Sequence, residues 1–313
     1  MVDWTLPLIG PAPGPPDGFE TIARAVTATG DLMCLHVAAP ASTARPRTIS
    51  PAGASFPLAR PDRPLSFALS RSDGAGSGLE IALGDHRLAF PRFDMFPDGR
   101  VLLAGSRADF RSRDDFDRNG IVVDGGACRH ILLGDGIEHL QIDGAGRIWV
   151  GYFDEGIFGN SGWSNPVGAP GLVVFNDLGS VLWRNGGIDM ADCYALNVAA
   201  DAAWVCAYAD FQLCRLDADF GLSLRDPGLS GCRGVAVHGD RALFSGQYDE
   251  PAHRFHLIEP GPATARPRAL VVGLEGGAGC GGGDILMRGG HVHVVSGGQW
   301  YRGHLSDLPP IRP

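Results

Sequence analysis

The sequence contains no lysine; all 26 basic residues are arginine. Glutamate is nearly as scarce, with seven residues against 28 aspartates. Lys and Glu dress the surfaces of helices, so their shortage argues against a helical protein. No apolar run reaches 18 residues, which excludes a membrane-spanning helix. A basic stripe able to neutralise phosphates is missing, and the net charge is −9, so nucleic acid is not an expected partner. The first ten residues lack the basic and apolar regions of a secretory leader. The seven cysteines include no C-x-x-C pair and read as free thiols of a cytoplasmic protein. No H-E-x-x-H or G-x-S-x-G occurs. Gly277, Gly279 and Gly282 match a dinucleotide-binding fingerprint by letter but lead into a strand, so no nucleotide cofactor is expected.

What is abundant belongs to turns. Gly (46) and Pro (23) fill more than a fifth of the 313 positions, yet 44% of residues are hydrophobic, enough for a packed core. One pattern recurs: a short apolar segment, a Gly/Asp turn, and a second apolar segment. The clearest copy is Leu140–Ile142, a turn at Asp143–Gly146, then Arg147–Gly151. Further copies centre their second segments on Cys34, Leu103, Trp204, Leu243 and His293. Such hairpins at intervals of 39 to 69 residues predict a single all-β domain over 1–313, a β-propeller. The count is six blades, or seven if the long first interval hides another. Residues 38–64 read as an insertion. Trp4–Ile9 is expected to supply the missing outer strand of the last blade.

A propeller's mouth is lined by residues just before each inner strand and just after each second strand. At the second location the chain repeats an aspartate: Asp109, Asp154, Asp210 and Asp249. At the first it offers Arg92, Glu138, His139, Asp192, Arg233 and Asp284. Together they predict a polar mouth able to hold a divalent cation or transfer protons. Glu138 and His139 form a candidate acid/base pair, although neighbours on a regular strand face opposite ways. Asp154, Asp192 and Arg233 complete the catalytic candidates. Tyr152, Tyr194, Tyr208, Tyr248 and Trp300 flank the same positions as ligand contacts. The glycine-rich segment 151–171 resembles a recognition loop, with Phe158 and Trp163 placed to cover a ligand.

Asp115-Phe-Asp117-Arg-Asn119-Gly120-Ile121-Val122 fits the first eight positions of a calcium loop. Three short oxygen side chains alternate, and the Ile121 carbonyl would add a ligand. Gly126 replaces the bidentate glutamate, and Asp124 is a partial substitute. The expected cofactor is therefore Ca2+ or Mg2+. His291 and His293 share one face of a strand, without a third ligand for a transition metal.

Asp143-x-x-Gly146-Arg147-Ile148-Trp149-Val150-Gly151 resembles a signature of streptogramin-lyase-like, gluconolactonase-like and sensor-type propellers. The likeness covers nine residues of one blade, with weaker echoes elsewhere. It implies the propeller fold and, as one option, a metal-assisted enzyme acting on a small molecule. Ile137 stands where the streptogramin-lyase pattern carries a histidine, and the lactonase E-G-P-x-W is absent, so no catalytic residue transfers. The leading expectation is lyase or hydrolase action on a small cyclic or ester-like metabolite at the mouth. The alternative is a non-catalytic module binding a protein or peptide on the same face.

Overall fold

The computed structural model describes residues 2–259 and 266–308. The ends of the 1–313 span lie outside these residues. Six four-stranded antiparallel sheets form a six-bladed propeller. Blade 1 comprises Glu20–Val26, Leu32–Val37, Leu65–Ser72 and Gly78–His86. Blade 2 comprises Pro91–Met95, Val101–Gly105, Gly120–Asp124 and Ala127–Ile131. Blade 3 is Ile137–Ile142, Ile148–Tyr152, Leu172–Phe175 and Val181–Arg184. Blade 4 is Asp192–Val198, Ala202–Tyr208, Leu213–Asp217 and Leu222–Arg225. Blade 5 is Gly234–His238, Arg241–Ser245, Phe255–Ile258 and Arg268–Leu270. Blade 6 takes Asp284–Arg288, His291–Ser296 and Gln299–His304 from one end of the sequence and Leu8–Pro11 from the other. Each inner strand packs against the inner strands of both neighbouring blades, which closes the ring.

All six expected hairpin centres fall in second strands. The long first interval holds no further blade. Segment 38–64 forms a short 3-10 turn, Ala41–Ala44, and a small hairpin of Arg47–Ile49 with Ser55–Pro57. The expected closing strand divides at Pro7. Trp4–Leu6 runs parallel to Val272–Leu274 beside blade 5, and only Leu8–Pro11 pairs with blade 6.

Aspartate and asparagine make the hairpin turns in a repeated way. One Asp143 oxygen accepts from the backbone N–H groups of Ala145 and Arg147, each at 2.9 Å. Its other oxygen accepts from Trp149 Nε1 at 2.9 Å. Asn176 and Asp217 repeat the backbone part of this device. A short side chain that mimics the next carbonyl fixes a tight turn without help from the rest of the fold.

The channel is closed at the end opposite the mouth by Arg288 of blade 6, which is 3% exposed. Its guanidinium donates to the carbonyls of Val26 (2.7 Å), Ile142 and Val198 (3.3 Å), and to Asp94 Oδ2 (2.7 Å). One side chain thus joins blade 6 to blades 1, 2, 3 and 4. Asn197 joins blade 4 to Val235 of blade 5 (2.8 Å) and to Gly289 (2.9 Å). These contacts satisfy carbonyls at strand ends that would otherwise be buried without partners.

Candidate functional site

A cavity of about 310 Å³ occupies the channel and is lined by the inner strands of all six blades. Arg24, Arg92, Glu138, His139 and Arg233 contribute its charged and titratable rim, and Asp94 and Arg288 lie at its floor. Arg92 Nη2 donates to Glu138 Oε1 at 3.2 Å. Arg24 is paired with Asp284. The Arg233 guanidinium forms no ion pair among the described residues.

Glu138 and His139 line the same cavity, against the expectation that only one would face it. A β-bulge lies at this point of the strand. Ile137 lies opposite Tyr152 and His139 opposite Gly151, which leaves Glu138 as an extra residue. An inserted residue breaks the strict alternation of side chains and bends the strand. Tyr194 is the extra residue at the same place in blade 4, and Ile22 in blade 1. Gly151 permits the close packing behind this bend. A Cβ there would stand 2.5 Å from Cys193 Sγ of the next blade.

Nε2 of His139 is enclosed and has no hydrogen-bond partner among the described residues. Burial holds the imidazole neutral by lowering its pKa, and the nearby Glu138 carboxylate opposes this only in part. The first residue of blade 4, Asp192, behaves differently. Burial, reinforced by the charges of Glu138 and Asp154, raises its pKa to about 6. A carboxylate poised there exchanges protons near neutral pH.

The repeated aspartates do not ring the channel. None of Asp109, Asp154, Asp210 and Asp249 lines the cavity. They follow second strands, one strand farther from the axis, and sit in loops. Asp154 opens a short helix, Asp154–Phe158, and accepts from the Glu155 N–H at 2.7 Å. Asp109 faces Arg111 at 3.8 Å, and Asp210 and Asp249 are exposed.

Three aromatic expectations are corrected. Tyr152 is fully buried, its hydroxyl donating to the Leu133 carbonyl. Trp163 is 9% exposed and packs away from the channel, against Phe110 at 4.9 Å between ring centres, with Nε1 donating to the Ala108 carbonyl at 2.7 Å. Trp300 is buried between blades 6 and 1 and donates to His293 Nδ1 at 3.0 Å. Phe158 stands 71% exposed. The remaining aromatics do gather: Tyr194, Tyr208 and Tyr248 cluster with Phe211, with ring centres 5.4 to 6.1 Å apart. Phe211 and Asp249 both hold positive φ angles, +54° and +62°, which cost energy for residues with a side chain.

The calcium-loop residues do not fit a cation. Asp117 receives Arg111 at 2.8 Å and Arg60 at 3.5 Å, and Asp115 also pairs with Arg111 at 2.8 Å. Asn119 directs its amide to the carbonyls of Gly105 and Gly134, each at 2.7 Å. Ile121 lies in the third strand of blade 2 between Leu103 and His130, and Asp124 ends that strand opposite Ala127. Two guanidiniums therefore occupy the place of a divalent ion. Among the described residues no group of three or more His, Cys, Asp or Glu side chains is gathered for a metal.

Asp94, Arg288 and the bulge are the features that sequence reasoning missed. Arg288 ends an inner strand just before the Gly289-Gly290 turn, a place that reads as an ordinary solvated turn flank. Only the approach of four other blades makes it a floor.

No family model matches the chain, and no curated protein matches its sequence. Solved structures do resemble it. Virginiamycin B lyase from Staphylococcus aureus, in selenomethionine-substituted form, gives a TM-score of 0.49 at 9% identity, over 91% of this chain and 94% of that one. A catalytically inactive form of that lyase with quinupristin gives 0.48 at 10%, over 94% and 98%. The β-propeller domain of Myceliophteria thermophila Cps50 (Swd1) gives 0.46 at 12%, over 92% and 99%. At such identities the likeness concerns the fold alone.

Proposed function

We propose that the chain hydrolyses a small ester-like or cyclic ester metabolite at the channel mouth. The observation that carries this reading is Asp192, which begins the inner strand of blade 4 and whose pKa is raised to about 6 by burial and by the charge of Glu138, a residue of the cavity wall. Above that pH the carboxylate takes a proton from water as the water oxygen bonds to the substrate's carbonyl carbon. The carbonyl's electron pair moves to its oxygen, which faces the guanidinium of Arg233. The intermediate then expels the ester oxygen, and Asp192 returns the proton to it. Water is added across one C–O bond, and no electrons are exchanged. Glu138 sustains the raised pKa of Asp192 and anchors Arg92, and the neutral His139 forms part of the wall.

The test is a pH-stat assay with γ-butyrolactone and p-nitrophenyl acetate. Hydrolysis is expected in the parent and a loss of about 100-fold or more in Asp192→Asn. Full activity in Asp192→Asn, or none in the parent, overturns the reading.

One observation favours a second reading, a recognition module for a protein or peptide. Tyr208 and Tyr248 are 38% and 48% exposed beside the mouth. Exposed tyrosines on a rigid frame are common anchors of interfaces. Peptides selected from a displayed library support this reading if they lose binding to Tyr208→Ser and Tyr248→Ser. Peptides indifferent to both variants oppose it.

A further inference from the structure

We infer that a second cavity, between the insertion and blade 2, is a binding site for a small phosphate monoester. The cavity has a volume of about 350 Å³, within the usual range for a small ligand. Its lining includes Arg60, Arg87, Arg107, Arg111, Arg118 and His130, with Asp117 as the one carboxylate. Five guanidiniums around one cavity run against the balance of a chain with net charge −9.

Three of the five are already matched. Arg107 is buried and pairs with Asp135 at 3.2 Å and with Glu155. Arg60 and Arg111 share Asp117, and Arg111 also meets Asp115. The other two have no carboxylate partner among the described residues. Arg87 donates to the carbonyl of Asp62, and Arg118 stands over the Phe116 ring at 5.9 Å. Two unmatched guanidiniums suit a group carrying two negative charges, and their planar forks match adjacent phosphate oxygens. Leu88, Phe116 and Ile121 give the same cavity an apolar wall for the organic part of an ester.

The matched pairs serve the site as well. Asp117 accepts from the Asp109 N–H at 3.1 Å and from Arg111 at 2.8 Å, which holds Arg111 in place. The stretch spelled like a cation loop is thus the wall of an anion site.

Isothermal titration with phenyl phosphate tests the inference, with benzoate as a singly charged comparison. Phenyl phosphate should bind, and benzoate should bind about tenfold more weakly or not at all. Arg118→Gln and Arg87→Gln should each weaken phenyl phosphate about tenfold, and raised salt should weaken it further. Arg118 makes no polar contact among the described residues, so Arg118→Gln should keep the parent's unfolding midpoint, and its lost affinity then reports the site. Phenyl phosphate that fails to bind, binds no better than benzoate, or binds both variants as well as the parent overturns the proposal. Asp192→Asn should bind phenyl phosphate normally, which separates this site from the channel mouth.

Discussion

Arg288 and Asp94 form an ion pair at 2.7 Å in which the two side chains are 3% and 1% exposed. Burial raises the Asp94 pKa, and Arg288 with the N–H groups of Met95 and Ile142 opposes that only in part. Removing one partner of a buried pair leaves the other uncompensated. Arg288→Met should therefore cost about 3–5 kcal/mol. Asp94→Asn should cost less, because Arg288 keeps its bonds to the Val26, Ile142 and Val198 carbonyls. Urea unfolding of both variants checks the order.

The titration of Asp192 can be followed without any substrate. Carbon NMR of its carboxyl should give a midpoint near 6. Glu138→Gln removes a negative neighbour and frees the Arg92 guanidinium, and both changes favour the ionised form. The midpoint should fall toward the ordinary aspartate value of about 3.9. A midpoint that does not move would remove the electrostatic basis of the proposed hydrolysis.

These two features mark the limit of what the sequence made legible. The hairpins around Cys34, Leu103, Trp149, Trp204, Leu243 and His293 were readable because each is local. An Asp or Asn beside glycine fixes the turn, and alternating apolar residues fix the strands. The rim positions of Arg92, Glu138, His139 and Arg233 followed from the hairpins. The bulge at Glu138 did not, because its extra residue exists only relative to a partner strand. Trp163 was misplaced for a similar reason: its partner is the Ala108 carbonyl, 55 residues earlier in the chain. The cation loop misled because Arg60 and Arg111 reach Asp117 from outside the motif or beside it.

Acid should weaken the fold through His293. Burial lowers its pKa to about 3, with help from His291 and Arg302. The unfolded chain takes up a proton near pH 6.5, whereas the native state resists it. The unfolded state thus binds more protons between about 6.5 and 3, and stability falls as the pH falls through that window. The slope contributed is up to about 1.4 kcal/mol per pH unit. His293→Phe sacrifices the bond from Trp300 but should flatten the pH dependence of urea unfolding between pH 6.5 and 5.

Trp163 should matter for stability and not for ligands of the channel. It fills the space beside Phe110 and Phe116 and satisfies a buried carbonyl. Trp163→Ala should cost about 3–5 kcal/mol. Trp163→Phe should cost less, mainly through the lost hydrogen bond. Thermal unfolding measures both, and neither change should move the Asp192 midpoint.

Blade 6 places Leu8 opposite Tyr301, so its outer pair joins segments separated by nearly the whole chain. During synthesis, Leu8–Pro11 leaves the ribosome long before Gln299–His304 exists. For that interval blades 1 to 5 have two unclosed flanks, and the channel floor lacks Arg288. Contacts so distant in sequence make the final step slow. A nascent chain stalled before residue 284 should be an open arc with sticky edges, the form most exposed to aggregation and most in need of a chaperone.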